Sequence, residues 1–323
     1  MDISNYQKEF LNYLQSKEWI QEPKNLYEPI DYILQLGGKR IRPLLTLMAA
    51  DVFSNEFKSA LPAALAVEVF HNFTLVHDDI MDEAPIRRGQ KTVHEKWNIN
   101  TGILSGDAML ILAYQYFENY EPIAFQKLAK LFSKTALEVC DGQQLDIDFE
   151  TRNDVTIDEY INMIRLKTSV LVAAALKMGA IVAEATEEDA QLIYDFGLNL
   201  GLAFQLQDDY LDAFGDPETF GKQIGGDIIE NKKTYLYLKA LELSDDETAQ
   251  KLKFFYQNKF SENATKIEEV KRIFEINDIP LLISQEIKTF TDKAFDKLDK
   301  MNITKENKDK LRSFGTWLMN RTV

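Results

Sequence analysis

A chain of 323 residues with 45% hydrophobic and 28% charged side chains has the composition of a globular protein that buries a large core. Its 37 basic and 52 acidic residues give a net charge of −15, which argues against nucleic acid as a partner. The single cysteine, Cys140, excludes an internal disulfide, and no secretory leader or apolar run of about twenty residues is visible. We therefore expect a cytoplasmic protein without an integral membrane segment.

Apolar residues recur at helical spacing along most of the chain, and no alternating run predicts a hairpin. In chain order, helices are predicted at about 5–20, after a loop around Pro23 and Pro29 up to 36, and at 39–51, 60–76, 108–116, 123–140, 170–183, 196–212 and from 235. The fold class is therefore all-α. We expect one domain over residues 1–323, with its motifs between about 30 and 240 and peripheral helices at about 241–323.

Two unusually apolar helices both end in the pattern Asp-Asp-x-x-Asp. Asp78 and Asp82 lie one helical turn apart, and Asp208 and Asp212 repeat that spacing. Carboxylates near a core are unfavourable unless they bind a positive charge. Oxygen ligands without a Cys-His or multi-His cluster favour Mg²⁺ over zinc. The four aspartates predict a shared metal site, and two separate solvated helix ends are the alternative.

Basic clusters interleave with the acidic motifs. They are Lys39-Arg40-Ile41-Arg42 on a glycine-flanked turn, Arg87-Arg88 after the first Asp motif, Lys167 before Thr168, and the lysines 222, 232 and 233. A helix start favours anions, and Arg and Lys suit phosphate oxygens. Each cluster alone is typical of a charged surface, but together they predict a phosphorylated ligand bound partly through metal. No P-loop or G-x-G-x-x-G fingerprint is present.

The chain also lacks a nucleophile signature. Cys140 lies in a helical pattern typical of a buried thiol. His71 lies seven residues before Asp78 and on roughly the same side of the helix, where its imidazole could donate to a diphosphate; a satisfied core histidine is the alternative. Metals and an apolar helical interior, without nucleophile or dedicated base, favour departure of diphosphate to leave a carbocation.

The motifs occur in a fixed order: G-G-K-R-I-R-P, D-D-I-M-D followed by R-R-G, G-Q-Q-L-D, K-T, F-Q-L-Q-D-D-Y-L-D and N-K-K-T. In this order the chain resembles the trans-isoprenyl diphosphate synthases, the polyprenyl synthetase family. The resemblance implies a bundle of long helices around a deep central cavity, usually a homodimer, with the two Asp motifs facing across the mouth. It also implies Mg²⁺-dependent head-to-tail condensation of isopentenyl diphosphate with allylic diphosphates, using about three Mg²⁺ ions per active site.

The resemblance implies a role for each matching residue. The metal ligands are Asp78, Asp82 and Asp208, with Asp79 and Asp212 in support. The diphosphate of isopentenyl diphosphate is held by Lys39, Arg42, His71 and Arg88. The allylic diphosphate is held by Arg87, Lys167, Lys222 and Lys232, and Thr168 and Gln205 line the region where the allylic cation forms.

The residues before the first Asp motif bear on product length. Only Ile80 and Met81 separate its aspartates, fewer residues than in typical bacterial farnesyl diphosphate synthases. Phe73 lies five residues before the motif, where a bulky aromatic blocks the tunnel in short-chain members, with Phe70 one turn deeper and Thr74 at the four-before position. The pattern resembles archaeal-type geranylgeranyl enzymes and implies a C20 product. A C15 or longer product is the alternative, and both phenylalanines also fit ordinary core positions.

Two other classes of protein fit part of the pattern. A terpene cyclase or head-to-head condensing enzyme on the same scaffold keeps Asp-rich helix ends but does not need a second diphosphate site. A non-catalytic helical binding protein predicts Mg²⁺ binding that does not depend on diphosphate. The basic set of Lys39, Arg42, His71 and Arg88 favours chain elongation.

Overall fold

The structure is a computed structural model that describes residues 3–216, 224–258, 260 and 263–319. Over these residues the chain is almost entirely helical, which confirms the predicted all-α class. It divides into two compact units. Unit 1 comprises Met1–Lys134 and Ala174–Tyr194, and unit 2 comprises Thr135–Ala173 and Asp195–Val323. The assignment of the whole chain to one domain stays a prediction.

Unit 1 is built around one buried helix, α4. Its helices are α1 (Ser4–Gln15), α2 (Lys24–Gln35), α3 (Ile41–Ser54), α4 (Leu61–Met81), α5 (Val93–Lys96) and α6 (Ile99–Gln115), with parts of α7 (Pro122–Thr151), α9 (Val170–Val182) and α10 (Glu187–Phe214). Helices α3 and α6 both pack on α4. Among the described residues, the run Lys58–Met81 is long and apolar enough to cross a membrane, but 67% of its most apolar window is buried inside the protein. This burial is typical of a core helix.

Three local predictions for the chain are wrong. Helix α1 ends at Gln15, not near residue 20, because the indole of Trp19 folds back and donates to the carbonyl of Leu14 at 3.2 Å. Pro29 lies inside α2, where the helix keeps its buried apolar stripe despite the lost backbone donor. Cys140 is exposed on α7, because the apolar stripe of that helix passes through its neighbour Val139.

A short hairpin follows α4, although no hairpin was predicted. Strand β1 (Ile86–Arg87) pairs antiparallel with β2 (Gln90–Lys91), in the register Arg87 opposite Gln90. The two turn residues, Arg88 and Gly89, have φ of 52° and 74°, as a type I′ turn requires. Strands of two residues are too short to produce an alternating pattern, so they could not be predicted from periodicity.

Unit 2 has its own core, to which the C-terminal helices contribute. Besides its parts of α7, α9 and α10, it contains α8 (Ile157–Ile164), a π-helical segment (Arg165–Ser169), α11 (Gly226–Ile229), α12 (Tyr235–Leu243), α13 (Asp246–Gln257), α14 (Asn263–Ile276), α15 (Ile279–Lys300) and α16 (Lys305–Met319). The apolar faces of α13, α14 and α15 supply Leu252, Val270 and Ile283 to this core. The helices after residue 241 therefore belong to the packed interior as well as to the surface.

Candidate active site

His71 lies in unit 1, where burial and the charges of four arginines lower its pKa. Nη1 of Arg42 lies 3.1 Å from Nε2 of His71. Because a guanidinium can only donate, Nε2 is the acceptor and the ring proton lies on Nδ1. Burial lowers the pKa of His71 well below its ordinary value, and the charges of Arg42, Arg88, Arg87 and Arg40 lower it further. The structure thus brings three of the predicted residues, Arg42, His71 and Arg88, into one basic cluster around a neutral imidazole.

The neutral state of His71 predicts a pH dependence of stability. Below the ordinary histidine pKa of 6.5, the unfolded chain binds a proton at this residue and the folded chain does not. The free energy of unfolding is therefore expected to fall as the pH falls below 6.5, by up to about 1.4 kcal/mol per pH unit from this residue. Urea unfolding at several pH values measures the slope. His71→Gln, which keeps a neutral acceptor, is expected to flatten it, and an unchanged slope in this variant would contradict the assignment.

A buried ion pair fixes the start of α3. Arg40 adopts a left-handed backbone conformation with φ 49°, and its guanidinium donates to the carboxylate of Glu68 and to the carbonyl of Leu34. Both charged side chains are only 2% exposed. Nδ2 of Asn72 donates to the same carboxylate at 2.8 Å. Sequence reasoning missed this pair, although Glu68 and Asn72 are among the few polar interruptions of α4.

The glycine-rich turn before α3 is also held by the hairpin. The guanidinium of Arg88 donates to the carbonyl of Gly37. Gly38 has φ 122°, a backbone conformation that side chains with a Cβ rarely adopt, so the turn needs a glycine at this position. Lys39, the next residue, is exposed. The R-R-G and G-G-K-R motifs, which are about fifty residues apart in sequence, therefore form one basic surface in unit 1.

The first Asp motif separates into two kinds of aspartate. Asp78 is half-buried and Asp82 is exposed at the end of α4, whereas Asp79 is buried. Nε of Arg87 donates to both Oδ1 and Oδ2 of Asp79, at 2.8 and 2.9 Å, and Nη2 lies 2.7 Å from Oδ1. Two residues that the resemblance assigns to metal and to diphosphate are thus bound to each other.

The predicted chain-length residues differ in their surroundings. Phe73 is 9% exposed and packs edge-to-face on His77, with ring centroids 4.8 Å apart. Phe70 is fully buried and packs edge-to-face on Phe132 at 5.0 Å. The hydroxyl of Thr74 donates to a backbone carbonyl of its own helix at 2.8 Å. Phe70 therefore belongs to an aromatic core cluster, and Phe73 lies at its edge.

The second Asp motif, in unit 2, repeats this division. Asp208 and Asp212 are half-buried, and Asp209 is buried. The carboxylate of Asp209 accepts from the hydroxyl of Tyr160 and, at 3.1 Å, from Nε2 of Gln205. Burial raises the pKa of Asp209 well above its ordinary value, and the charge of Asp227 raises it further. The middle aspartate of each motif thus binds a partner of its own unit.

A π-helical segment presents the K-T pair. Lys167 and Thr168 lie on Arg165–Ser169, and single π-helical turns are frequent at functional sites. Oγ1 of Thr168 donates to Oε1 of Gln205 at 3.1 Å. The amide of Gln205 is oriented by the hydrogen bond that its Nε2 donates to Asp209. Lys167 pairs with Asp146, and a Cβ on Gly142 would meet the backbone N of Lys167 at 2.2 Å. In the G-Q-Q-L-D motif, Gly142 therefore lets α7 pass close to the backbone of Lys167, and Asp146 is the acidic partner of its side chain.

The two adjacent lysines of N-K-K-T have different environments. Nζ of Lys232 lies 2.9 Å from Oε2 of Glu230 and 3.8 Å from Oδ1 of Asp227. Nζ of Lys233 donates to the carbonyls of residues 149, 150 and 152, and so caps the C-terminal end of α7. Lys233 is therefore a structural lysine. Lys222, the other predicted lysine, lies outside the described residues.

Comparison with known proteins identifies the family. The profile of the family described as Polyprenyl synthetase matches residues 23–276. The chain belongs to the polyprenyl synthetase family. The resemblance inferred from the motifs is therefore confirmed, and the chain is an enzyme of the prenyltransferase class.

Relatives of this polyprenyl synthetase include enzymes that are named for different products. The geranylgeranyl diphosphate synthase of Methanosarcina mazei is 44% identical over 225 residues, which cover 69% of each chain. The geranylfarnesyl diphosphate synthase of Natronomonas pharaonis is 39% identical over 239 residues, 68% of this chain and 70% of that protein. A crystal structure of a geranylgeranyl pyrophosphate synthase superposes with a TM-score of 0.96 at 55% identity and covers 99% of both chains.

The carboxylates of this polyprenyl synthetase fit a magnesium ion. Among the described residues, no group of three or more His, Cys, Asp or Glu side chains forms a complete metal site. In each Asp motif the first and last aspartates are not buried and place hard carboxylate oxygens one helical turn apart. These residues are Asp78 and Asp82 in the first motif and Asp208 and Asp212 in the second. Mg²⁺ is usually held by one or two carboxylates together with waters and substrate phosphates. The donor set therefore fits an ion that the protein shares with a phosphorylated substrate.

Proposed function

We propose that this polyprenyl synthetase condenses isopentenyl diphosphate with allylic diphosphates head to tail, up to a C20 all-trans product, and releases diphosphate. One observation carries this choice over a cyclase: Arg42, His71 and Arg88 form a basic cluster in the same unit as the first Asp motif. A cyclase binds one diphosphate and has no need of this second set of phosphate ligands. The geranylgeranyl synthases among the relatives support the C20 product.

The basic cluster suits the diphosphate of isopentenyl diphosphate. Arg42 and Arg88 offer guanidinium groups that match phosphate oxygens, and exposed Lys39 adds a compact charge. His71 accepts from Arg42 at Nε2, so its Nδ1–H is the donor that remains for a phosphate oxygen. A neutral imidazole also avoids adding a further positive charge to the arginines in the absence of substrate.

The outer aspartates, Asp78, Asp82, Asp208 and Asp212, would hold Mg²⁺. When bound, the metal supplies positive charge that stabilises the leaving diphosphate. The inner residue Asp79 instead orients Arg87 toward the allylic diphosphate. The number of ions, and the arrangement of the two Asp motifs about one cavity, stay predictions of the family resemblance.

The side chains of unit 2 assist the bond changes. The bond between C1 of the allylic substrate and its diphosphate oxygen breaks, and Lys167 and Lys232 stabilise the departing charge. The oxygens of Thr168 and Gln205 direct their dipoles at the allylic cation. The alkene of isopentenyl diphosphate attacks C1, and the departing diphosphate takes the proton that is lost. This route needs no side-chain base.

Product length is proposed to depend on Phe73. Phe73→Ala is expected to lengthen the product, because it removes the ring at the edge of the aromatic cluster while Phe70 and Phe132 remain behind it. A cavity mutation of this kind also lowers stability by about 3–5 kcal/mol. Radio-chromatography of the products measures their length. Leu65→Ala, also buried in α4, is the control for lost stability and is expected to keep the wild-type product. Unchanged product length in Phe73→Ala would contradict the proposal.

A homodimer is also proposed, and the cytoplasmic location stays a prediction from the sequence. Unit 1 exposes several large apolar side chains on α6 and at the start of α7, namely Leu104, Ile111 and Ile123. Leu104 and Ile111 lie seven residues apart and so share one face of α6, and an exposed apolar helix face is suited to association. Light scattering after size-exclusion chromatography measures the mass of the particle in solution, and a monomer would rule out the dimer.

Product analysis is the experiment that tests the proposed function. The protein is incubated with Mg²⁺, isopentenyl diphosphate and each of the C5, C10 and C15 allylic diphosphates, and the products are sized. Elongation to C20 is the expected result, and accumulation at C15 or beyond C20 would support the alternative products. Conversion of an allylic diphosphate without consumption of isopentenyl diphosphate would instead indicate a cyclase. Titration with a bisphosphonate, with and without Mg²⁺, tests a non-catalytic binding protein, for which metal binding does not depend on the diphosphate.

A further inference from the structure

The segment of residues 224–234 carries Lys232 and is attached to the end of the second Asp motif. The backbone N–H of Gly225 donates to the carbonyl of Asp212 at 2.7 Å, and the N–H of Asp227 donates to its Oδ2 at 3.0 Å. Residues 226–229 form the short helix α11, and Lys232 lies three residues after the last residue of this helix. These contacts with Asp212 hold the start of the segment, and its end is held by other residues.

A buried lysine of α14 contacts that end. Lys266 is 2% exposed, and its Nζ donates to Oδ1 of Asn231 at 2.6 Å and to the carbonyl of Ile229 at 3.3 Å. Ile229 is the last residue of α11, so its carbonyl is one of those that a helix end leaves without an intrahelical donor. Asn231 has a left-handed backbone with φ 62°. Both acceptors are neutral, and burial lowers the pKa of Lys266.

The residue after Lys266 contacts the start of the same segment. Gly225 has φ 78°, and a Cβ there would meet the side chain of Ile267 at 2.9 Å. Two consecutive residues of α14 therefore support both ends of α11. A buried ammonium is unfavourable unless its hydrogen bonds are well made. Nζ also lies over the ring of Tyr256, 5.4 Å from its centroid, but Asn231 and Ile229 are its hydrogen-bond acceptors.

We propose that Lys266 is a positioning residue, which holds Lys232 in the orientation that binds the allylic diphosphate by fixing Ile229 and Asn231. Asn231 is the residue directly before Lys232, so a change in its backbone moves the lysine. The inference rests on the proposed role of Lys232 and gives a function to a helix in the region after residue 241. The proposal predicts that a change at Lys266 weakens binding of the allylic diphosphate and leaves binding of isopentenyl diphosphate unchanged.

Lys266→Met tests the proposal, because methionine keeps much of the side-chain length and removes all three donors. The expected result is a rise of about tenfold in KM for the allylic diphosphate, with KM for isopentenyl diphosphate within about twofold of wild type. Hydrogen exchange is the second readout. The amide of Lys232 donates to the carbonyl of Asp227 at 2.9 Å and is expected to exchange faster in the variant.

Three further variants separate positioning from loss of folding. Asn231→Gly removes the acceptor and keeps a left-handed backbone, so it is expected to raise the same KM even if Lys266→Met folds poorly. The double variant is expected to be no worse than either single one. Lys251→Met is the control and is expected to match wild type, because it breaks only an ion pair between α13 and Glu269 of α14.

Several outcomes would overturn the inference. Equal increases in both KM values, or unchanged amide exchange with an unchanged allylic KM, would show that Lys266 does not position the segment. Additive effects in the double variant would show that Lys266 and Asn231 act separately. If the wild-type protein turns over no prenyl diphosphate, the proposed function fails, whereas the exchange data still decide whether Lys266 holds the segment.

Discussion

Glu68→Gln is expected to lower the free energy of unfolding by about 3–5 kcal/mol, because it leaves the guanidinium of Arg40 buried without its counter-charge. Both side chains are 2% exposed, so water does not replace the lost partner. Glutamine keeps the shape of the residue and an acceptor for Asn72. The decrease in the free energy of unfolding therefore measures the loss of the charge and not a loss of packing. Urea unfolding of the variant and the wild type at the same pH measures it.

The matched control removes both charges. In the double variant Arg40→Met/Glu68→Leu, no charge is left buried, and most of the stability is expected to return. Its KM for isopentenyl diphosphate is expected to be higher than that of the wild type, because the turn that carries Lys39 and Arg42 has lost the anchor to Leu34. A Glu68→Gln variant within about 1 kcal/mol of wild type would contradict the importance of the pair.

The same ion pair explains how far the sequence could predict the site. The motif predicted a basic, phosphate-binding turn, and only the family resemblance separated Lys39 and Arg42 from Arg40, since by charge and spacing the three are equivalent cations. The structure buries Arg40 and exposes Lys39, because the left-handed backbone at Arg40 turns its side chain toward Glu68. That partner is twenty-eight residues away in sequence, so no local pattern could distinguish the three.

The aspartate motifs give a parallel case. The spacing of Asp78 and Asp82 predicted two carboxylates on one side of a helix, and α4 carries them at its end. The different environment of Asp79 follows from the helix, whose consecutive side chains point about 100° apart, so the middle residue faces the interior. Its partner Arg87 comes from a hairpin that leaves no sequence pattern, so their contact required the tertiary structure. The long helices were predictable from their apolar periodicity, but the ion-pair partners of single charged residues were not.

The two neighbouring aspartates therefore predict different consequences of the same substitution. Asp78→Asn is expected to lower kcat by about 10³ and to shift the Mg²⁺ dependence of activity to higher concentration, because it removes a proposed metal ligand. Asp79→Asn is expected to leave the Mg²⁺ dependence unchanged. It weakens the orientation of Arg87, so KM for the allylic diphosphate is expected to rise by about tenfold, and stability falls because the carboxylate is buried.

Activity measured over a range of Mg²⁺ concentrations distinguishes the two roles, and bisphosphonate titration with and without Mg²⁺ gives a second measurement that does not depend on turnover. Glu83→Gln, an exposed position at the end of α4, controls for the loss of one negative charge and is expected to match wild type. If Asp79→Asn shifts the Mg²⁺ dependence as much as Asp78→Asn does, then Asp79 is a metal ligand, as the family resemblance implies. Its contact with Arg87 would then have to break when substrate and metal bind.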